Sequence, residues 1–185
     1  MPLPREYTEQ ACSMARSLEI VGERWSLLIL RDAFFGVTRF SDFARHLGIP
    51  RAILTERLAF LVDEDILRRG AGARPRYTMT SKGEALWPVV RALVSWGDDY
   101  YAPDGPRRIF EHTGCGGDLA GDGTCTRCGC VVTAREVTML PGPGCAPPTA
   151  GDPVSIALAG PRVLLQPIET PSGLPADQWP VVTGG

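Results

Sequence analysis

Four of the six cysteines in this 185-residue chain, Cys115, Cys125, Cys128 and Cys130, fall within sixteen residues. The run reads His112-Thr-Gly-Cys115-Gly, then Cys125-Thr-Arg-Cys128-Gly-Cys130. A CxxC pair followed by glycine is a zinc knuckle, in which two thiolates take one ion and turn amides point at sulfur. HxxCG supplies a second half-site, so His112, Cys115, Cys125 and Cys128 make a four-ligand set for Zn2+, with Cys130 an alternative to His112. Four protein ligands leave no open coordination position, which is the pattern of a structural ion. Without a secretory leader, such a cluster reads as a metal site before disulfides.

The second set of chemically able residues is cationic. Net charge is −2 overall, but residues 1–110 carry +2 and residues 111–185 carry −4. Between Arg39 and Arg76 stand eight arginines against five acids. Arginine is the side chain that matches phosphates and guanine edges. The elements around these arginines are legible. Met14, Leu18, Val21, Trp25, Leu28 and Ile29 recur at helical spacing with a break at Gly22, giving two helices, the second ending near Phe34. Phe40, Phe43, Ala44 and Leu47 stripe a short helix that stops at Gly48. Pro50 suits the first turn of the next, in which Leu54, Leu58, Leu61 and Val62 face inward as far as about Asp65. Two amphipathic helices joined by Leu47-Gly48-Ile49 form a helix-turn-helix.

Residues 66–79 then alternate around Gly70-Ala71-Gly72-Ala73, which predicts a β-hairpin with basic arms. Thr80 is a candidate N-cap for a long helix to about Tyr101 carrying Leu86, Trp87, Val90, Leu93, Val94 and Trp96. That helix is apolar on more than one side, so a partner subunit is expected to cover part of it.

Together these elements predict a mainly α, α+β chain. A winged helix-turn-helix with its flanking dimerisation helix (residues 1–106) is followed by a zinc-ribbon-like module (107–140) and a Pro/Gly-rich tail (141–185). Val131–Thr133 and Val137–Met139 are candidate ribbon strands. Residues 154–158 and 162–166 of the tail are expected as two short strands.

On the second helix, residues 50–65, the groove-facing set is Arg51, Ala52, Thr55 and Glu56. Arg51 at the entry is the best guanine or phosphate contact. Arg57 lies on the flank, open to an ion pair or a phosphate. Arg74 and Arg76 point from the hairpin, residues 67–79, toward the DNA backbone or minor groove, with Arg68 and Arg69 as further candidates. Arg39 and Arg45 are open between backbone contact and a solvated face, and His46 reads as an exposed helical histidine.

Three stretches carry a family resemblance: CSMARSLEIVGERWSLLILRDAFFGVTRFSDFARHLGI from Cys12, LTERLAFLVDEDIL from Leu54, and YTMTSKGEALWPVVRALVSWGDDY from Tyr77. They resemble the HxlR group of bacterial MarR-like regulators over roughly residues 12–101, with Ser13 departing from the proline usual after the cysteine. The resemblance implies a sequence-specific transcriptional regulator, most simply a repressor, that binds double-stranded operator DNA as a homodimer. It also implies a redox or electrophile sensor at Cys12, whose place at a helix start suits a reactive thiol, and the response is open between this and a small-molecule effector. The other reading of Cys12 is a small interface residue.

Cys145 has no second signal. No run reaches the roughly 18 apolar residues of a membrane span, and the acidic, polar N-terminus lacks the pattern of a signal peptide, so a cytoplasmic location is expected. With two histidines, a saturated ligand set and no phosphate loop, an enzyme is not expected. The competing function is a zinc-stabilised protein-interaction adaptor.

Overall fold

The computed structural model describes residues 11–169. Its first half is α1 (Ser13–Val21), α2 (Arg24–Phe34), α3 (Phe40–Leu47), α4 (Arg51–Asp63), β1 (Leu67–Arg69), β2 (Tyr77–Met79), α5 (Ser81–Glu84) and α6 (Trp87–Tyr101). Beyond it come β3 (Arg108–His112), β4 (Val137–Pro141), α7 (Pro153–Ala157) and β5 (Arg162–Val163). β1 and β2 pair antiparallel, with Leu67 opposite Met79 and Arg69 opposite Tyr77. The second sheet has the order β3-β4-β5.

The helix-turn-helix forms as its pattern dictates. Gly48 closes α3 at φ +61°, a left-handed turn that glycine adopts without the Cβ penalty. Leu54, Leu58 and Leu61 of α4 are fully buried against Ile29, Leu30 and Phe43. Each such burial stabilises the fold by about 1.5–3 kcal/mol. Pro50 is the N-cap rather than the first helical residue, and the helix stops at Asp63 because Asp65 turns left-handed at φ +53°.

Two expectations need correction. The helix from Thr80 to Tyr101 is not continuous. Thr80 caps it by accepting from Gly83 N–H at 3.1 Å, but the helix breaks after Glu84 and restarts at Trp87. Pro88, with no N–H to give, sits in the first turn of α6, where its ring is tolerated. The tail is not a hairpin of two strands either. Residues 153–157 are helical because Pro153 takes the first helical position and the Asp152 carboxylate accepts from Val154 N–H at 3.1 Å. The i, i+4 pair Val154 and Leu158 is buried. Only Arg162–Val163 is strand, and it pairs with β4 rather than with the preceding segment. Residues 170–185 of the expected tail lie outside the described residues.

The two halves share one core. Phe34 and Trp87 lie 5.4 Å apart at their ring centroids, and Trp87 meets Phe110 of β3 edge-on at 5.4 Å. Leu165 N–H donates to Phe34 O at 2.7 Å and Ile168 N–H to Gly36 O at 2.8 Å, binding the C-terminal segment along the end of α2. Gly36, at φ +95°, leaves no room there for a Cβ, which would lie 2.0 Å from Gln166 O. Arg135 reaches back to Glu84 through two charge-assisted hydrogen bonds, at 2.9 and 2.5 Å. Among the described residues no helix is long and apolar enough to cross a membrane.

Candidate nucleic-acid interface and metal centre

The N-terminal turn of α4 projects from the helix-turn-helix with Arg51, Ala52, Ile53, Thr55 and Glu56 all exposed. The Arg51 guanidinium lies over the Phe40 ring, 5.1 Å from its centroid, and no described carboxylate pairs with it. Its charge is therefore held in place yet uncommitted. Thr55 Oγ1 donates back to Arg51 O at 2.9 Å, a local bond that exchange with a base edge costs little. Glu56 is engaged by its neighbour Arg57, which also lies over the Phe60 ring. Arg57 thus shows the ion pair that the sequence left open.

Arg68, Arg69 and Arg74 of the hairpin are exposed. Arg76 is not free: it makes a two-pronged pair with Glu169, at 2.9 and 2.8 Å, and Arg39 Nη2 stands 3.8 Å from the same carboxylate. Arg45 donates to Gly151 O at 3.0 Å. His46 is not a solvated helical histidine. Its Nδ1 lies 2.7 Å from Asp152 and its Nε2 4.0 Å from the buried Asp32, joining α3 to the cap of α7. Burial holds the Asp32 carboxyl above its ordinary range, outweighing the attraction of Arg31 and His46.

Cys12 is exposed and is the N-cap of α1, with Arg16 N–H bonded to its carbonyl. The Arg16 guanidinium pairs with Glu19 at 2.5 Å rather than with the thiol.

In the second half, β3 delivers His112, and two glycine turns deliver the sulfurs. Gly116 (φ +65°) follows Cys115 and Gly129 (φ +71°) follows Cys128. These left-handed residues let the chain fold back on itself, with Gly116 N–H on His112 O and Gly129 N–H on Cys125 O. His112 Nδ1 and the sulfurs of Cys115, Cys125 and Cys128 converge within 4.8 Å of one another. Cys115 Sγ lies 3.4 Å from both His112 Nδ1 and Cys125 Sγ, and Cys128 Sγ lies 3.3 Å from His112 Nδ1. Tetrahedral ligands about 2.0–2.3 Å from zinc stand roughly 3.5 Å apart, so the hole has the size of one such ion. The group can hold a metal ion. Cys130 stays outside it: its main chain pairs with Cys125 N–H and its sulfur faces Cys128 O.

The thiols are prepared unequally. The Cys128 N–H and then that of Arg127 hold the Cys125 thiol down to about 6, against the opposing effect of burial. Cys128 is also lowered, first by the Cys130 N–H and then by His112. Amide donors aimed at sulfur favour the thiolate that a metal requires.

Sequence reasoning missed β3 and the long-range partners. Ile109 and Phe110 with Glu111 and His112 offer too short an alternation to announce a strand. His46–Asp152 and Arg76–Glu169 join positions 106 and 93 residues apart.

The chain is similar in sequence to known proteins. The family model described as HxlR-like helix-turn-helix matches residues 20–105, which span α2 to α6. Uncharacterized HTH-type transcriptional regulators of Mycobacterium bovis and Mycobacterium tuberculosis are each 46% identical over 137 residues, 71% of this chain and 87% of theirs. A stretch covering that share of the chain necessarily takes in the cysteine segment at 112–130. A crystal structure of a candidate transcription factor is 42% identical over 52% of this chain and 70% of its own, with a TM-score of 0.49. On the strength of the mycobacterial relatives and the matched helices and hairpin, the chain belongs to the HxlR-like helix-turn-helix family of DNA-binding transcriptional regulators.

Proposed function

We propose that the protein is a repressor that binds operator DNA as a homodimer. In this reading residues 1–106 are the DNA-binding and dimerisation unit, α4 enters the major groove, and the β1–β2 hairpin lies on the backbone or minor groove. The observation that carries it is Arg51: an exposed guanidinium at the N-terminus of the second helix of a helix-turn-helix, propped on Phe40 and paired with no described acid. N-terminal residues of such a helix reach base edges, and arginine there reads guanine O6 and N7. Ala52, Thr55 and Glu56 complete the groove face, while Arg57 and Arg74 supply charge for phosphates. Arg76 would exchange the Glu169 carboxylate for a phosphate.

The dimer is supported by α6. Val89, Leu93, Trp96 and Tyr100, at i, i+4, i+7 and i+11, line one face and stay 46–70% exposed. Met14 and Leu18 of α1 are exposed as well. So much apolar surface on one helix face fits a second copy, and two-fold symmetry would match a palindromic operator.

The ion held by His112, Cys115, Cys125 and Cys128 is zinc in this reading. Its role is to fix residues 107–140 against α5 and α6, and residues 141–169 then lie over α2 and α3. Cys12 remains the candidate for a redox or electrophile response, because it is exposed at the start of α1. Its replacement by serine should abolish an oxidant effect on DNA binding.

Sequencing genomic fragments retained by the purified, metal-loaded protein tests the function. Enrichment of a palindromic motif is the expected result. Retention of unrelated fragments in proportion to length would overturn specific reading.

A further inference from the structure

A cavity of about 470 Å3 lies where the helix-turn-helix half meets the C-terminal half, a size that suits a metabolite. Its wall is charged with one excess sign. Arg31, Arg107 and Arg108 face it against a single carboxylate, Asp98. Arg31 commits Nε and Nη2 to Asp32, which leaves Nη1 over. Arg108 donates to the Cys145 sulfur at 3.0 Å, and no described carboxylate lies within ion-pair distance of Arg107 or Arg108. Burial holds the Asp98 carboxyl above its ordinary range, against a hydrogen bond from the Arg107 N–H and the attraction of Arg91 and Arg107, so one acid faces three arginines. Phe35, Val94, Tyr101 and Leu158 give the lining its apolar surface, beside the polar His46, Thr149 and Ser155.

Gly97 is the second observation. It lies within α6, where glycine costs about 1 kcal/mol relative to alanine. A Cβ at Gly97 would meet no atom within 4 Å, so internal packing does not demand glycine there. The space it leaves belongs to this cavity. Val94, Gly97, Asp98 and Tyr101 sit about 120° round the helix from the Val89–Tyr100 face. A second subunit on that face would therefore leave the cavity open.

We propose that this cavity binds a small organic anion with an apolar body, a carboxylate or sulfonate, its charged end among Arg31, Arg107 and Arg108. Residues 107, 108 and 145–158 of its wall lie beyond the segment matched by the family model. The site also touches α3 through His46 and α6 through Tyr101. That occupancy alters operator binding rests on the function proposed above; occupancy itself does not.

Fluorescence titration of the full-length, metal-loaded protein with 8-anilino-1-naphthalenesulfonate tests it without any DNA. One saturable site per chain is expected. Charge reversal at exposed Arg107 (Arg107→Glu) should weaken it about tenfold or more, as loss of a charge-assisted contact does. Gly97→Leu should fill the cavity and abolish the site while leaving the melting temperature unchanged or higher. The uncharged isostere N-phenyl-1-naphthylamine should bind at least tenfold more weakly. Three results would overturn the proposal: no saturable binding, equal affinity for the uncharged isostere, or wild-type affinity in both variants. In the last case the dye would be bound outside the cavity. Each of these outcomes can be read whether or not the protein selects operator fragments.

Discussion

The N-terminal turn of α4 and the cysteine cluster at 112–128 work by opposite logic. Around α4 the candidate groups are exposed to solvent, and Arg51 rests on the Phe40 ring with no ionic partner among the described residues. In the cluster four ligand atoms converge within 4.8 Å, with left-handed glycines and amide donors built around them. A recognition surface keeps its chemistry unspent until a partner arrives, whereas a structural centre completes its chemistry inside the chain. Substitutions at the first should cost binding and spare the fold. Substitutions at the second should do the reverse.

The largest effect is expected at Cys125, whose thiol is buried in the shared core. Structural zinc sites supply folding energy outright, so Cys125→Ser should lose the metal and lower the melting temperature by at least about 10 °C. Metal analysis beside a thermal melt checks this, and an unchanged melt would separate the extension from the core. The same centre should respond to acid. Without the ion the Cys125 thiolate takes up a proton as pH falls below about 6, so below that value protons compete with the ion for this ligand. Zinc release to a chromogenic chelator should therefore rise steeply below about pH 6 and be slight at pH 7.5.

Trp96→Glu comes next. A charge placed in an apolar interface should dissociate the dimer at micromolar concentration without unfolding the chain. Sedimentation would report this, and a persistent dimer would move the interface elsewhere. Arg51→Ala should weaken operator binding about 10- to 100-fold with an unchanged melt, since one good bidentate base contact is worth about 1–3 kcal/mol. An equal loss on unrelated DNA would make Arg51 a phosphate contact.

The smallest effect should come from Glu169→Gln. Removing the carboxylate that pairs Arg76 frees a wing arginine, so affinity should rise a few-fold and the salt dependence should steepen by about one ion. Unchanged affinity would mean that Arg76 does not meet DNA.

Legibility in the sequence followed the range of the interaction. Leu54, Leu58 and Leu61, Gly48, and the CxxCG turn announce themselves because their physics lies within a few residues. The break at Glu84–Trp87 was missed, since the apolar pattern runs straight through it and only Pro88 marks it. Val154 and Leu158 read as strand because a five-residue segment shows either period, and Asp152 decides for helix by capping it. His46 was misread because its partner Asp152 is 106 residues away. No local pattern encodes such a pair. The groove-facing set, by contrast, is legible by exposure alone, and contact with DNA must decide which of its members read bases.

The most direct measurement is therefore a binding titration by fluorescence anisotropy. Labelled duplex carrying the motif from retained genomic fragments is compared with a shuffled duplex of equal composition, at two salt concentrations. Sequence-specific binding by a dimer predicts two chains per motif duplex, a preference of at least about 10³ over the shuffled sequence, and affinity that falls as salt rises. Equal affinity for both duplexes, or no binding even at low salt, would contradict it.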